Sequence, residues 1–139
     1  GVVMATAGYS GTPLARKLGL RAGMRAAWPG APEGFGALLG DLAGVRVLAR
    51  PAAAGMDLVV LFVTARAELE RRVGRLRDAI APDGMLWVAW PKRASGVPTD
   101  VTEDIVREVA LPTGLVDVKV CAIDATWSGL KLVVRRELR

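Results

Sequence analysis

The spacing of apolar residues along the chain changes several times, and each change marks an element. Leu58-Val59-Val60-Leu61-Phe62-Val63 is an unbroken apolar run rich in β-branched residues, the pattern of a central strand buried on both faces. From Ala65 to Ile80 the spacing becomes helical, with Leu69, Val73, Leu76 and Ile80 forming one stripe and Thr64 placed as a hydroxyl cap. Pro82-Asp83-Gly84 reads as a turn, and Met85 to Trp90 as a second buried strand ended by Pro91. Upstream, Met24 to Trp28 and Val45 to Ala49 read as short strands, stopped by Pro29-Gly30 and Arg50-Pro51. Thr12-Pro13 predicts a capped helix over Pro13 to Leu18, ended by Gly19. A helix over Glu33 to Leu42 is poor on propensity, because Ala31 to Gly40 holds three glycines and a proline. Asp100-Val101-Thr102-Glu103 has the capping-box pattern ahead of Ile105, Val106 and Val109. Near the end, Val116, Val118 and Val120 alternate with Asp117 and Lys119. Leu130, Leu132 and Val134 alternate likewise with Lys131 and Arg135. The two runs, joined by Asp124 to Gly129, predict an antiparallel hairpin.

Strands alternating with helices predict an α/β domain whose mostly parallel sheet is covered on both faces. A chain of 139 residues, 52% hydrophobic, makes one such domain, expected over residues 11–139 behind a flexible lead over 1–10. Its mean hydropathy is +0.33, yet the longest strongly apolar run, Leu58 to Ala65, is far below the roughly 20 residues of a membrane span. With no histidine, imidazole-dependent triads and histidine-built metal sites are excluded. The net charge of +5 would suit nucleic acid, but 15 of the 19 basic residues are arginine in an alanine-rich chain, a bias that a GC-rich genome also produces. Nucleic acid is therefore not the expected partner. Cys121 stands alone, without an intrachain disulfide partner, as expected of a cytoplasmic protein. Gly1 to Ser10 lacks the basic and apolar regions of a signal peptide, and Met4 reads as a candidate start behind Gly1-Val2-Val3.

Two stretches carry a family resemblance. Gly19-Leu20-Arg21-Ala22-Gly23-Met24-Arg25 looks like the lead-in to the first strand of class I S-adenosylmethionine-dependent methyltransferases. Ala81-Pro82-Asp83-Gly84-Met85-Leu86-Trp87-Val88 looks like the turn into their fifth strand. The resemblance implies a single three-layer Rossmann-like domain with a C-terminal antiparallel hairpin, in the family's strand order 2-1-4-5-7-6 with the third strand absent. This scaffold is shortened: only about eight residues separate the second strand from the central one, too few for a helical crossover of a dozen or more. Two departures bear on the cofactor. The loop after strand one, Pro29-Gly30-Ala31-Pro32-Glu33-Gly34-Phe35-Gly36, has two prolines and not the family's glycine spacing. Arg50 stands where an acidic residue would bind the ribose hydroxyls. A second resemblance rests on Tyr9-Ser10-Gly11-Thr12-Pro13-Leu14, Leu61-Phe62-Val63-Thr64, Trp87-Val88-Ala89-Trp90-Pro91-Lys92 and Thr126-Trp127-Ser128-Gly129-Leu130, and is to a family of short bacterial proteins of unknown function.

In open α/β sheets, ligands sit beyond the carboxyl ends of the strands. Residues placed there are Gly30, Glu33, Gly34 and Gly36, which offer backbone amides and a carboxylate. Thr64 and Arg66 lie at a helix start, and Trp90, Lys92 and Ser95 lie in a basic loop able to stack on a planar group and accept an anion. The competing readings are a strained turn, a helix cap and a solvated loop behind a core tryptophan. The arginines from Arg66 to Arg77 read as a solvated face paired with Glu68 and Glu70. Without histidine, paired carboxylates or a metal-ligand cluster, no catalytic residue is assigned and no cofactor is expected. The expected function is thus a non-catalytic binding or regulatory module, holding an anionic small molecule or a protein partner. The alternative is a small S-adenosylmethionine- or nucleotide-dependent transferase. The hairpin edge also admits a homodimer.

Overall fold

The computed structural model describes residues 12–139, so the lead expected over 1–10 and Tyr9-Ser10-Gly11 lie outside the described residues. Six strands form one sheet: β1 (Arg25–Ala27), β2 (Arg46–Val47), β3 (Met56–Phe62), β4 (Ile80–Pro91), β5 (Leu115–Ala122) and β6 (Trp127–Val134). Four helices accompany them: α1 (Leu14–Leu18), α2 (Phe35–Leu38), α3 (Arg66–Ala79) and α4 (Glu103–Ala110). The strand order is β2-β1-β3-β4-β6-β5. The first four strands are parallel, and β6 runs antiparallel to both β4 and β5. This is the expected architecture, including the reversed last strand and the missing unit after β2.

One core lies on each side of the sheet. Leu69, Val73 and Leu76 of α3 and Val106 of α4 pack on Val59, Leu61 and Val88. On the other side Leu18, Phe35 and Leu39 pack on Leu58, Val60 and Trp87. Each such large side chain contributes about 1.5–3 kcal/mol by leaving water. Because β3 feeds both cores, all of it but Asp57 is buried, and its sequence is a continuous apolar run. Trp87 anchors α1: its indole Nε1 donates to the Leu18 carbonyl at 2.9 Å. Gly129 makes room for that ring, since an added Cβ would stand 3.2 Å from the indole and 3.0 Å from Ile123.

Several local expectations are corrected. Helix α1 begins one residue later than expected, and its N-cap is Pro13 with no side-chain cap, so the Thr12 hydroxyl does not cap it. Pro82-Asp83-Gly84 does not end an element. Strand β4 pairs Ile80 with Met56 and then Met85 with Leu58, so residues 81–84 bulge opposite Asp57 alone. Gly84 permits the close approach, because a Cβ there would lie 2.8 Å from the Met56 carbonyl oxygen. In β5 the register shifts between Asp117 and Lys119, so the expected face of Val116, Val118 and Val120 is broken, with Val118 51% and Val120 42% exposed. The connection from β2 to β3, residues 48–55, contains no helix. No helix among the described residues is long and apolar enough to cross a membrane.

Candidate functional site

The chain leaves β1 for β2 on one side, while β3 adds on the other, so strand order reverses at β1. The carboxyl ends of β1 and β3 therefore flank the crevice where such sheets hold ligands. The segment Trp28–Gly36 lies over it. Phe62 N–H donates to the Pro29 carbonyl at 3.0 Å, fastening the turn to the end of β3. Gly30 has φ +77°, and an added Cβ would stand 2.6 Å from the Phe62 carbonyl oxygen, so only glycine fits. Beyond it the backbone is open: a Cβ at Gly34 or Gly36 would meet nothing within 4 Å. Glu33, between these glycines and Gly30, is exposed. The four expected residues of this loop are therefore brought together.

A chain of rings stands beside the turn. Trp28 and Phe35 meet edge to face at 5.6 Å, Phe35 and Phe62 at 4.9 Å, and Phe62 and Trp127 at 5.1 Å. Asp124 helps to set it, as its Oδ1 accepts the N–H groups of Thr126 and Trp127, both at 2.8 Å, and opens the hairpin as expected. Sequence reasoning missed this assembly. Its members lie on three separate segments, and no local period relates them. Their only signal was that Phe62 and Trp127 sit in two of the blocks shared with the short bacterial family.

The remaining expected residues are otherwise engaged. Thr64 does not cap α3: the N-cap is Ala65, with no side-chain bond of its own. Asp100 acts instead, its Oδ1 accepting the Arg66 N–H at 2.7 Å. Its place as a cap of α4 falls to Thr102, whose hydroxyl accepts from Ile105 N–H at 3.2 Å. The Arg66 guanidinium bonds Glu70 at 2.9 Å and also Glu108, and those bonds raise its pKa. The helix start thus already holds a carboxylate from its own chain. Trp90 is 7% exposed, within the α3 and α4 core. Lys92 Nζ donates to the Asp124 carbonyl at 2.7 Å, and Ser95 Oγ donates to the Lys92 carbonyl at 2.7 Å. Both side chains shape the loop. A cleft of about 490 Å³ beside Trp90 is lined by Arg93, Thr99 and Thr102, and neither Lys92 nor Ser95 lines it.

No family model matches the chain, and no curated protein matches it. Solved structures do. A SAM-dependent methyltransferase from Aquifex aeolicus superposes with a TM-score of 0.61 at 16% identity, over 87% of this chain and 88% of that one. The fold is methyltransferase-like. A TehB-like SAM-dependent methyltransferase from Corynebacterium glutamicum matches with a TM-score of 0.55 at 13% identity, over 93% and 91% of the two chains. An O-methyltransferase from neocarzinostatin biosynthesis, solved with S-adenosylmethionine and a naphthoic acid, gives 0.59 at 16% identity, over 79% of this chain and 48% of that one. This finding corrects the expectation of a non-catalytic module. The structures that share nearly the whole of this architecture are those of methyltransferases.

The residues of the crevice suit S-adenosylmethionine at one end. Gly34 and Gly36 leave backbone open to a close ligand, and Glu33 is the carboxylate available for an ammonium or hydroxyl group. At the other end Arg50, exposed after β2, is a donor where a ribose requires an acceptor. The eight-residue connection is the physical reason, since it omits the unit that would enclose that end.

Proposed function

We propose that this protein is a small S-adenosylmethionine-dependent transferase whose cofactor lies over the Trp28–Gly36 turn. The observation that supports it best is the methyltransferase-like strand order, reversed β6 included, with a glycine-bearing turn at its switch point. When bound, S-adenosylmethionine supplies an electrophilic methyl group on a sulfonium centre. The protein's part is to hold an acceptor in line with that group and keep water away.

This chain has the means for that part. Gly34 and Gly36 admit the cofactor's amino-acid end, and Glu33 balances its ammonium charge. Trp28 and Trp127, both half-buried, offer apolar ring surface beside the turn, backed by the buried rings of Phe35 and Phe62. Aromatic faces attract cations, a sulfonium among them, by roughly 0.5–2 kcal/mol. No general base is required of an acceptor that is already a nucleophile, which agrees with a chain lacking histidine.

The test is thermal unfolding with S-adenosylmethionine and with S-adenosylhomocysteine. Ligand at one hundred times its Kd stabilises by about 2.7 kcal/mol. Both compounds should raise Tm, and less so in the exposed-site variant Glu33→Ala. No shift with either at millimolar concentration would overturn the proposal.

A further inference from the structure

A second cleft, of about 500 Å³, runs along the face of the sheet that carries α3 and reaches Pro29 of the turn at one end. One wall is the connection from β2 to β3, with Arg50, Pro51 and Ala52. The other is α3, with Arg71, Arg72 and Arg75. Leu76 and Ala79, 4% and 2% exposed, lie between them. The cleft exists because residues 48–55 cross this face as a bent strap with no helix. Where a longer connection would lay a helix beside α3, this chain leaves a groove.

Its charge is uneven. Arg72 reaches Glu68 at 3.6 Å, whereas Arg50, Arg71 and Arg75 have no carboxylate within 4.0 Å among the described residues. The one acidic side chain lining the cleft, Asp78, is bonded to Arg77 at 3.2 Å. Arg71 and Arg75 are one helical turn apart, a like-charge spacing that is unfavourable without a counter-anion. Guanidinium groups bind phosphate in a bidentate fork, and an apolar floor suits a compact organic body. The volume is that of a small-molecule site, and the strap bounds it along one side.

We infer that this cleft binds a small phosphorylated molecule, its phosphate held by Arg71 and Arg75 and its body against Leu76 and Ala79. The inference does not depend on the cofactor reading. A phosphorylated substrate and a phosphorylated effector share this chemistry.

The experiment is calorimetric titration of the full chain with inorganic pyrophosphate and with AMP, in parallel with the double variant Arg71→Ala/Arg75→Ala. Both side chains are exposed, so the variant retains the fold, and circular dichroism checks it. Both probes should bind the parent chain, weaken as salt is raised, and lose about tenfold or more in affinity in the variant. The variant should keep whatever response the parent has to S-adenosylhomocysteine, which separates this site from the crevice. Three results would overturn the inference: no binding of either probe at millimolar concentration, AMP binding that the variant leaves unchanged, or binding of oligonucleotides but of neither probe. Trapping of [14C]-labelled AMP by ultrafiltration gives the same readout should heats be small.

Discussion

The two flanks of α3 treat their arginines in opposite ways. Toward α4, Arg66 is bonded by Glu70 and Glu108 while its backbone N–H is capped by Asp100. Arg107 of α4 is likewise held by Glu103 at 2.6 Å and Asp117 at 2.8 Å. Toward the strap, Arg50, Arg71 and Arg75 face a cleft without such partners among the described residues. The same residue type thus ties elements together on one flank and leaves positive charge free on the other. What differs is the opposing element: a helix and strand carrying acids, or a strap of proline and alanine. Charge left uncompensated next to a concavity indicates a ligand, whereas compensated charge indicates packing.

The difference can be probed by substitution. On the tied flank, Asp100→Ala removes the only side-chain cap of α3 among the described residues and should lower stability by about 1 kcal/mol, read from urea unfolding. A neutral result would mean that the amide end of α3 is satisfied by solvent. On the exposed surface of the same helix, Gly74→Ala should raise stability by about 0.5–1 kcal/mol, because an added Cβ meets nothing within 4 Å. No close neighbour accounts for glycine at this position.

On the free flank, Arg75→Gln should raise stability by a few tenths of a kcal/mol at low ionic strength, with the gain fading in salt. The same change at Arg66 should lower it. If Arg75→Gln also destabilises, the flanks do not differ as described. The smallest effect concerns acid. Arg107 holds the Asp117 carboxyl below its usual range, through a hydrogen bond from Nε first of all. A depressed carboxyl contributes stability above its unfolded pKa and loses it as pH falls through the folded value. Asp117→Asn should therefore melt below the parent at neutral pH, with the gap closing below about pH 4.

Much of this was legible in the chain. The order of strands and helices along the chain and the terminal hairpin follow from runs whose period is set by local burial, and the unit missing after β2 followed from the family resemblance. Val118 was not legible, because the bulge that removes it from the alternation depends on pairing with β6. Residues 82–84 carry turn chemistry that the sheet absorbs as a bulge inside one strand. The turn at Gly30 was placed correctly, but the need for glycine comes from the Phe62 carbonyl of another strand. The arginine cleft was hidden for the same reason. Helical period shows which way Arg71 and Arg75 point on α3, but not that a bare strap carrying Arg50 lies opposite. The functional expectation failed at a different step. It gave the Arg50 departure more weight than the match of the remaining strand order, and the solved structures, which cover most of this chain, reverse that order.

The most direct measurement of the cofactor claim is the amide and indole NMR spectrum of the labelled chain titrated with S-adenosylhomocysteine. The account predicts shifts confined to Gly30, Glu33, Gly34, Gly36 and the indoles of Trp28 and Trp127, with Arg71 and Arg75 unmoved. Shifts centred on the arginine cleft, or none at millimolar ligand, would contradict it.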